Sequence, residues 1–454
     1  MNLLAHLQTI KPELLDQIKK IDARSDELNT QALIYGLLNR EKWLNKDFQS
    51  IDFLSKKIDI SQKLFLSYSL KGIKTTSKIL EDSNWQGAMV WLLVQAVLVE
   101  QELTIRLKRF NVLFKALDVF QVDWLKNQKG IKTGLEQSWQ NLVKQLPVNS
   151  EALQATVAQV DAQHSLKEIP LTVLFYEGPI ARAYLATLKN LGLRPSKIIE
   201  LISSHDLISK KPIGKWMPKG LRQSYAANSQ RNKIHYWSKQ LTKTQASLVN
   251  KTLSQVQNQW QFSAETTTQA NKLLPLSTYS DTVSSLMIEN LKDDTLLNFL
   301  NKEPQGALLY TGGGIVPKKL LEISHLKFLH VHPGYLPHIR GADCTLWSNL
   351  ITGHMSASCF YMAPGIDEGD IILPCWLPQL QVEANTKSLD LATLYRLVYG
   401  FIDPWVRSFV LRQVLNHHSE FENIKTDLQN VKDGLTYHFM QKNTKQTAIE
   451  SLFK

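Results

Sequence analysis

Two histidines two residues apart, His330 and His332, close the apolar run Leu326–His332 and are followed at once by Pro333 and Gly334. On a strand, side chains two apart share a face and stand about 6–7 Å apart along it, so both imidazoles project together at a strand end. Imidazoles placed this way act as metal ligands, as acid–base groups, or as hydrogen-bonded structural residues. A carboxylate, Asp367, follows between Gly365 and Gly369, after a second β-type run over residues 356–362. A carboxylate beside an imidazole orients the ring and stabilises its protonated form, which favours acid–base chemistry. Upstream, Gly306–Tyr310 has the pattern of a buried strand and runs into Thr311, Gly312, Gly313, Gly314, Ile315, Val316 and Pro317. Glycines at the carboxyl end of a strand let backbone approach a ligand closely, and open α/β sheets place their sites at that end.

The elements that must position these residues are legible in part. A β-type run over 171–176 leads through Glu177, Gly178 and Pro179 into a helical pattern over 181–191, then Gly192 and a second β-type run over 198–202. Strand, glycine turn, helix and strand make the βαβ unit that opens a doubly wound parallel sheet. The turn is not a G-x-G-x-x-G fingerprint, which argues against a dinucleotide site. Residues 1–165 hold few glycines, and Leu103, Leu107, Phe110, Leu113, Phe114 and Leu117 recur at three- and four-residue spacing. That spacing predicts an all-α helical domain ahead of a Rossmann-like α/β domain over 166–412, with a polar tail over 413–454.

At 454 residues the chain exceeds one common domain, and 43% hydrophobic with 20% charged residues excludes wholesale disorder. The net charge of +11 has a local source, because residues 207–264 carry no Asp or Glu but include Lys210, Lys211, Lys215, Lys219 and Arg222. With Trp216, Tyr225, Tyr236 and Trp237 interleaved, this insertion suits contact with phosphate or nucleic acid; a solvated loop and a basic helix over Ala246–Trp260 is the alternative. Cys344, Cys359 and Cys375 show no metal-ligand spacing and are expected as reduced thiols in the cytoplasm. The apolar run over 88–98 is far short of the roughly 20 residues of a membrane span and predicts a buried core helix.

The run from His332 resembles the folate-dependent formyltransferase family, whose signature reads Asn-x-His-Pro-Ser-Leu-Leu-Pro-x-x-Arg-Gly with an Asp-x-Gly loop downstream. His332 and Pro333, Leu336 and Pro337, Arg340 and Gly341, and Asp367 and Gly369 match it in order. The resemblance spans about residues 170–385 and is strongest over 306–373. It implies transfer of a formyl group from 10-formyltetrahydrofolate to an amine, with His332 as the catalytic histidine and Asp367 as its supporting aspartate. Gly314, Ile315 and Val316, with Met362, Ala363, Pro364, Gly365 and Ile366, would hold the pterin, and no metal is implied. The signature's asparagine is replaced by His330 and its serine by Gly334. In the family that asparagine donates to the developing oxyanion, and loss of such a donor costs about 10²–10³ in rate; a histidine can still donate.

The partner expected is a small-molecule amine, phosphorylated where the basic insertion meets it, with nucleic acid less favoured. Methionyl-tRNA members carry a β-barrel after the catalytic domain, whereas the tail here is short and polar; glycinamide ribonucleotide members lack an N-terminal extension. A nucleotide-linked amino sugar is therefore the expected acceptor. Hydrolysis of 10-formyltetrahydrofolate, or folate or RNA binding without catalysis, remain the alternatives.

Overall fold

The computed structural model describes Val94, Val97 and residues 101–119, 129–146, 166–430 and 433–453. The chain divides into two units, one comprising Met1–Leu146 with Met440–Thr447 and the other Pro147–Phe439 with Ala448–Lys454. Most of the helical domain expected over 1–165 lies outside the described residues. What is described of it is helical: α1 (Leu103–Val119) and α2 (Lys129–Lys144). They pack through the aromatic trio Phe110, Phe114 and Trp139, with ring centroids 5.2–5.7 Å apart. Within the run 88–98, Val94 and Val97 are helical and buried.

The second unit is built on β1 (Lys167–Tyr176), α3 (Pro179–Asn190), β2 (Leu193–Ser203), α4 (Lys219–Ile234), α5 (Tyr236–Thr244), α6 (Ala246–Trp260), α7 (Ala264–Asn271) and β3 (Val283–Ile288). It continues through α8 (Asp294–Leu300), β4 (Gly306–Tyr310), α9 (Lys318–Leu321), β5 (Leu326–His332), β6 (Ile339–Gly341), α10 (Cys344–Thr352), β7 (Ser356–Tyr361) and β8 (Ile371–Trp376). It closes with α11 (Leu391–Phe401), α12 (Asp403–His417), β9 (Leu435–Tyr437) and the end of α13 (Lys442–Glu450), a helix that crosses the division. Seven strands form one sheet in the order β3-β2-β1-β4-β5-β7-β8.

The sheet is Rossmann-like, parallel from β3 to β5, because Leu171, Val173, Leu174 and Phe175 of β1 are buried on both faces and need helices over each. One face carries α3 and α12. The other carries α8 and α9, whose Leu296, Leu300 and Leu320 join Leu174, Leu308 and Phe328 in one cluster. The parallel sheet expected from the opening βαβ unit is present over β3, β2, β1, β4 and β5. β7 runs against the others, pairing antiparallel with β5 on one side and β8 on the other, with His332 opposite Ser358 and His330 opposite Phe360.

One boundary and one segment differ from expectation. The polar tail expected from 413 begins inside α12, and beyond it Phe421, Ile424 and Tyr437 are buried. Alternating polar residues hide these anchors: the Phe421 carbonyl accepts the Tyr361 hydroxyl at 2.6 Å, and β9 pairs with β6. Within the insertion over 207–264, residues 207–218 are irregular and the rest is helical through α4, α5 and α6, with the expected helix Ala246–Trp260 present as α6. Leu248, Val249, Val256 and Trp260 form the buried stripe of α6, which gives that helix its reason to fold.

Candidate active site

His330 and His332 lie on β5 two residues apart and project from the same sheet face as Phe328. Both are buried. The structure brings His332 and Asp367 together, with Nδ1 3.2 Å from Oδ1. The opposite ring nitrogen, Nε2, lies 3.1 Å from the Ile339 carbonyl oxygen.

Asp367 sits between β7 and β8 in a left-handed conformation with φ 53°, rare for a residue bearing a side chain. Two contacts over-determine that turn. The Gly341 N–H donates to Oδ2 at 2.8 Å, and Gln429 Nε2 donates to the Asp367 carbonyl at 3.1 Å. Burial alone would raise the Asp367 carboxyl pKa. The His332 charge and hydrogen bond, then the Gly341 N–H, outweigh burial and hold it well below the usual carboxylate range.

Gly341 explains the Arg-Gly pair of the signature. Its φ is +103°, and a Cβ there would stand 2.1 Å from the Tyr437 carbonyl oxygen, so only glycine lets β9 pair beside it while its N–H faces Asp367. Gly334 is needed for space: a Cβ would lie 2.3 Å from the Ile339 carbonyl oxygen and 2.7 Å from His332 Nε2. Ser358 braces this turn, accepting the Leu336 N–H at 2.9 Å and donating to the Gly334 carbonyl at 2.7 Å.

His330 is held differently. Its Nδ1 lies 3.1 Å from the Tyr310 carbonyl oxygen, and its ring is flanked by Tyr310 and Phe360 at 5.7 and 6.0 Å. The N–H that would serve an oxyanion in the neutral ring is therefore engaged by backbone.

Of the residues expected to hold a pterin, Val316 is buried in the cluster with Tyr310 and Phe328, against which Met362 packs. Ile315 and Ile366 are exposed. Gly313 shares with Tyr310 and Tyr176 the wall of a cavity of about 310 Å³ that also meets His205, Asp206, Lys210 and Asn290, at the carboxyl ends of β1 to β4. Among the described residues no group of His, Cys, Asp or Glu is arranged to hold a metal ion.

Sequence reasoning passed over two buried ionic groups near these strand ends. Glu177, read only as part of a turn, accepts from Arg182 Nε and Nη2 at 2.9 and 2.6 Å and lies 2.9 Å from His235 Nε2. Arg407 donates to Asp403 at 2.9 Å and, through Nη1, to the carbonyl of Val331 between the two histidines at 2.9 Å. The i,i+4 spacing of Asp403 and Arg407 was the legible signal for the second.

Comparison with known proteins gives a partial match. No family model matches the chain. Methionyl-tRNA formyltransferase of Syntrophus aciditrophicus (strain SB) is 37% identical over 86 residues, 18% of this chain and 27% of that protein. The match thus spans about a quarter of that relative's length. A sugar N-formyltransferase from Shewanella sp FDAARGOS_354 superposes over 64% of this chain and 88% of its own, at 10% identity and a TM-score of 0.32. The formyltransferase PseJ from Anoxybacillus kamchatkensis, solved with UDP-4,6-dideoxy-4-formamido-L-AltNAc and tetrahydrofolate, covers 39% of this chain and 88% of its own at 18% identity and a TM-score of 0.24.

Proposed function

We propose, from the premise that this chain carries a domain of the folate-dependent formyltransferase family, that it transfers a formyl group from 10-formyltetrahydrofolate to an amine. The observation that carries this reading is the His332–Asp367 pair, 3.2 Å apart beneath a glycine-bounded turn at a strand end. Gly314, Ile315 and Val316 and the loop Met362, Ala363, Pro364, Gly365 and Ile366 would bind the pterin. The formyl carbon would then face β5, where the acceptor amine attacks it and Asp367 holds the His332 ring oriented.

The acceptor we propose is a nucleotide-linked amino sugar. The cavity bounded by Tyr310, Lys210, Asn290, Asp206 and Glu289 offers hydrogen-bonding groups of both kinds within one wall of the histidine site, which suits a polar substrate. We place the protein in the cytoplasm, where the buried thiols of Cys344, Cys359 and Cys375 stay reduced.

The test is incubation of the full chain with 10-formyltetrahydrofolate and a panel of nucleotide-linked amino sugars, amino acids and aminoacyl-tRNA, with tetrahydrofolate formation followed optically. Turnover that depends on an amino sugar supports the reading. Turnover confined to aminoacyl-tRNA overturns the acceptor, formate release without amine makes the protein a hydrolase, and binding without turnover makes it a folate-binding relative.

A further inference from the structure

The two site histidines differ in how many ring nitrogens meet an acceptor, one at His330 and both at His332. At His330 the Nδ1 nitrogen meets a backbone carbonyl, which only accepts, so Nδ1 carries the proton. Burial, reinforced by the Arg407 charge, holds the His330 pKa down to about 4, against the opposing Tyr310 hydrogen bond and the Asp367 carboxylate; His332 adds to the lowering. The ring is therefore neutral near pH 7, and Nε2 bears a lone pair and no proton. No group among the described residues donates to that nitrogen, and it is not among the sealed, unpartnered buried atoms. The flanking Tyr310 and Phe360 rings fix its plane.

His332 is the reverse case. Nδ1 faces Asp367 and Nε2 faces the Ile339 carbonyl, both acceptors, so the ring is satisfied only with a proton on each nitrogen and offers no lone pair. The absence of a side chain at Gly334 makes the second contact possible. Two of the places where the chain departs from the signature, His330 and Gly334, thus act on the same pair of rings. One brings in an acceptor and the other commits the neighbouring imidazole to donation.

We propose that His330, through Nε2, is the general base of this site, taking the proton of the attacking amine and returning it to the leaving nitrogen, while His332 remains a donor. The inference rests on the formyl-transfer reading above. The amine nitrogen forms its bond to the formyl carbon as the carbonyl π pair moves to oxygen, and the amine proton passes to Nε2. Collapse restores the carbonyl and breaks the bond to N10, which keeps the electron pair and takes the proton from Nε2. His330 ends neutral, and the only proton moved has gone from amine to tetrahydrofolate. A conjugate acid as strong as protonated His330 suits N10, an aryl nitrogen of low basicity that leaves poorly without a proton.

The experiment has two arms on the full-length protein. In the first, ¹⁵N-histidine labelling reads the tautomer of His330 directly, its signals assigned by their loss in His330→Asn; the neutral form protonated at Nδ1 is expected at pH 7. In the second, His330→Asn and His330→Ala, each checked for folding by thermal midpoint, should lose about 10²–10⁴ in kcat. Added imidazole should recover part of the loss in the alanine variant. A proton on Nε2 in the first arm overturns the inference whatever the activity, and so does wild-type kcat in His330→Asn. Wild-type protein that binds tetrahydrofolate but forms no formamide overturns the formyl-transfer reading, and the base assignment with it, even with the tautomer as expected.

Discussion

Asp367 shows how much support a single reactive group requires. Its left-handed backbone is held by contacts from Gly341 and Gln429, and its carboxylate is aimed at His332. Asp367→Asn keeps the volume but removes the charge that orients the imidazole, so kcat per folded molecule should fall by about 10²–10⁴, and the thermal midpoint should fall as well because the stability tied to the depressed carboxyl pKa goes with the charge. The pH profile gives a second expectation. With His330 neutral as the working base, kcat/KM should be flat through pH 6 and fall only as the pH drops toward about 4, where the ring gains a proton. An acid limb centred near the ordinary histidine value of about 6.5 would show a different base. That both imidazoles share a face was legible from strand alternation. What each nitrogen faces was not, because the Tyr310 and Ile339 carbonyls come from positions 20 and 7 residues away.

Among the elements, the short pair β6–β9 carries one prediction and the end of β1 another. In Gly341→Ala the new methyl meets the Tyr437 carbonyl at 2.1 Å on a backbone with φ +103°. Strain and the clash together should destabilise the fold by about 2–4 kcal/mol and, by shifting the N–H that holds Asp367, lower kcat as well. At the end of β1, burial of Glu177 works to raise its pKa, but Arg182 and His235 override it and bring it down to about 2 from 4.5. A carboxyl with a depressed folded pKa gives stability that is complete above its unfolded value and is lost as the pH falls through the folded one. Denaturant unfolding between pH 5 and pH 2 should therefore lose about 3 kcal/mol from this group. Glu177→Gln should remove that slope and, by leaving Arg182 buried without its carboxylate, cost about 3–5 kcal/mol at neutral pH. The strands Gly306–Tyr310 and Leu326–His332 were readable to the residue because mostly apolar runs give way at once to the Thr-Gly and Pro-Gly turns that follow them. The reversed course of β7 was not, since a run buried on both faces looks the same in either direction.

At the scale of the whole molecule, the positive charge of residues 207–264 is partly internal. Arg222 donates to the Ile213 carbonyl, Lys251 to the Glu383 carbonyl, Arg231 pairs with Glu177, and Lys233 pairs with Asp206. Lys210, Lys211, Lys215 and Lys219 stay exposed beside Trp216, Leu221 and Tyr225. Replacing these four lysines with glutamine should weaken binding of a phosphorylated acceptor and flatten its salt dependence, with tetrahydrofolate binding unchanged; equal acceptor affinity would return the lysines to a solvated face. Composition and periodicity by themselves determined that the chain folds, that an α/β sheet follows a helical region, and that His330, His332 and Asp367 stand at element ends, because each of these properties is local. Tertiary structure alone decided that Asp367 reaches His332, that the segment beyond α12 pairs beside the site through β9, and which acceptor each partnered ring nitrogen meets. Those outcomes depend on where distant carbonyls and N–H groups arrive once the sheet has packed.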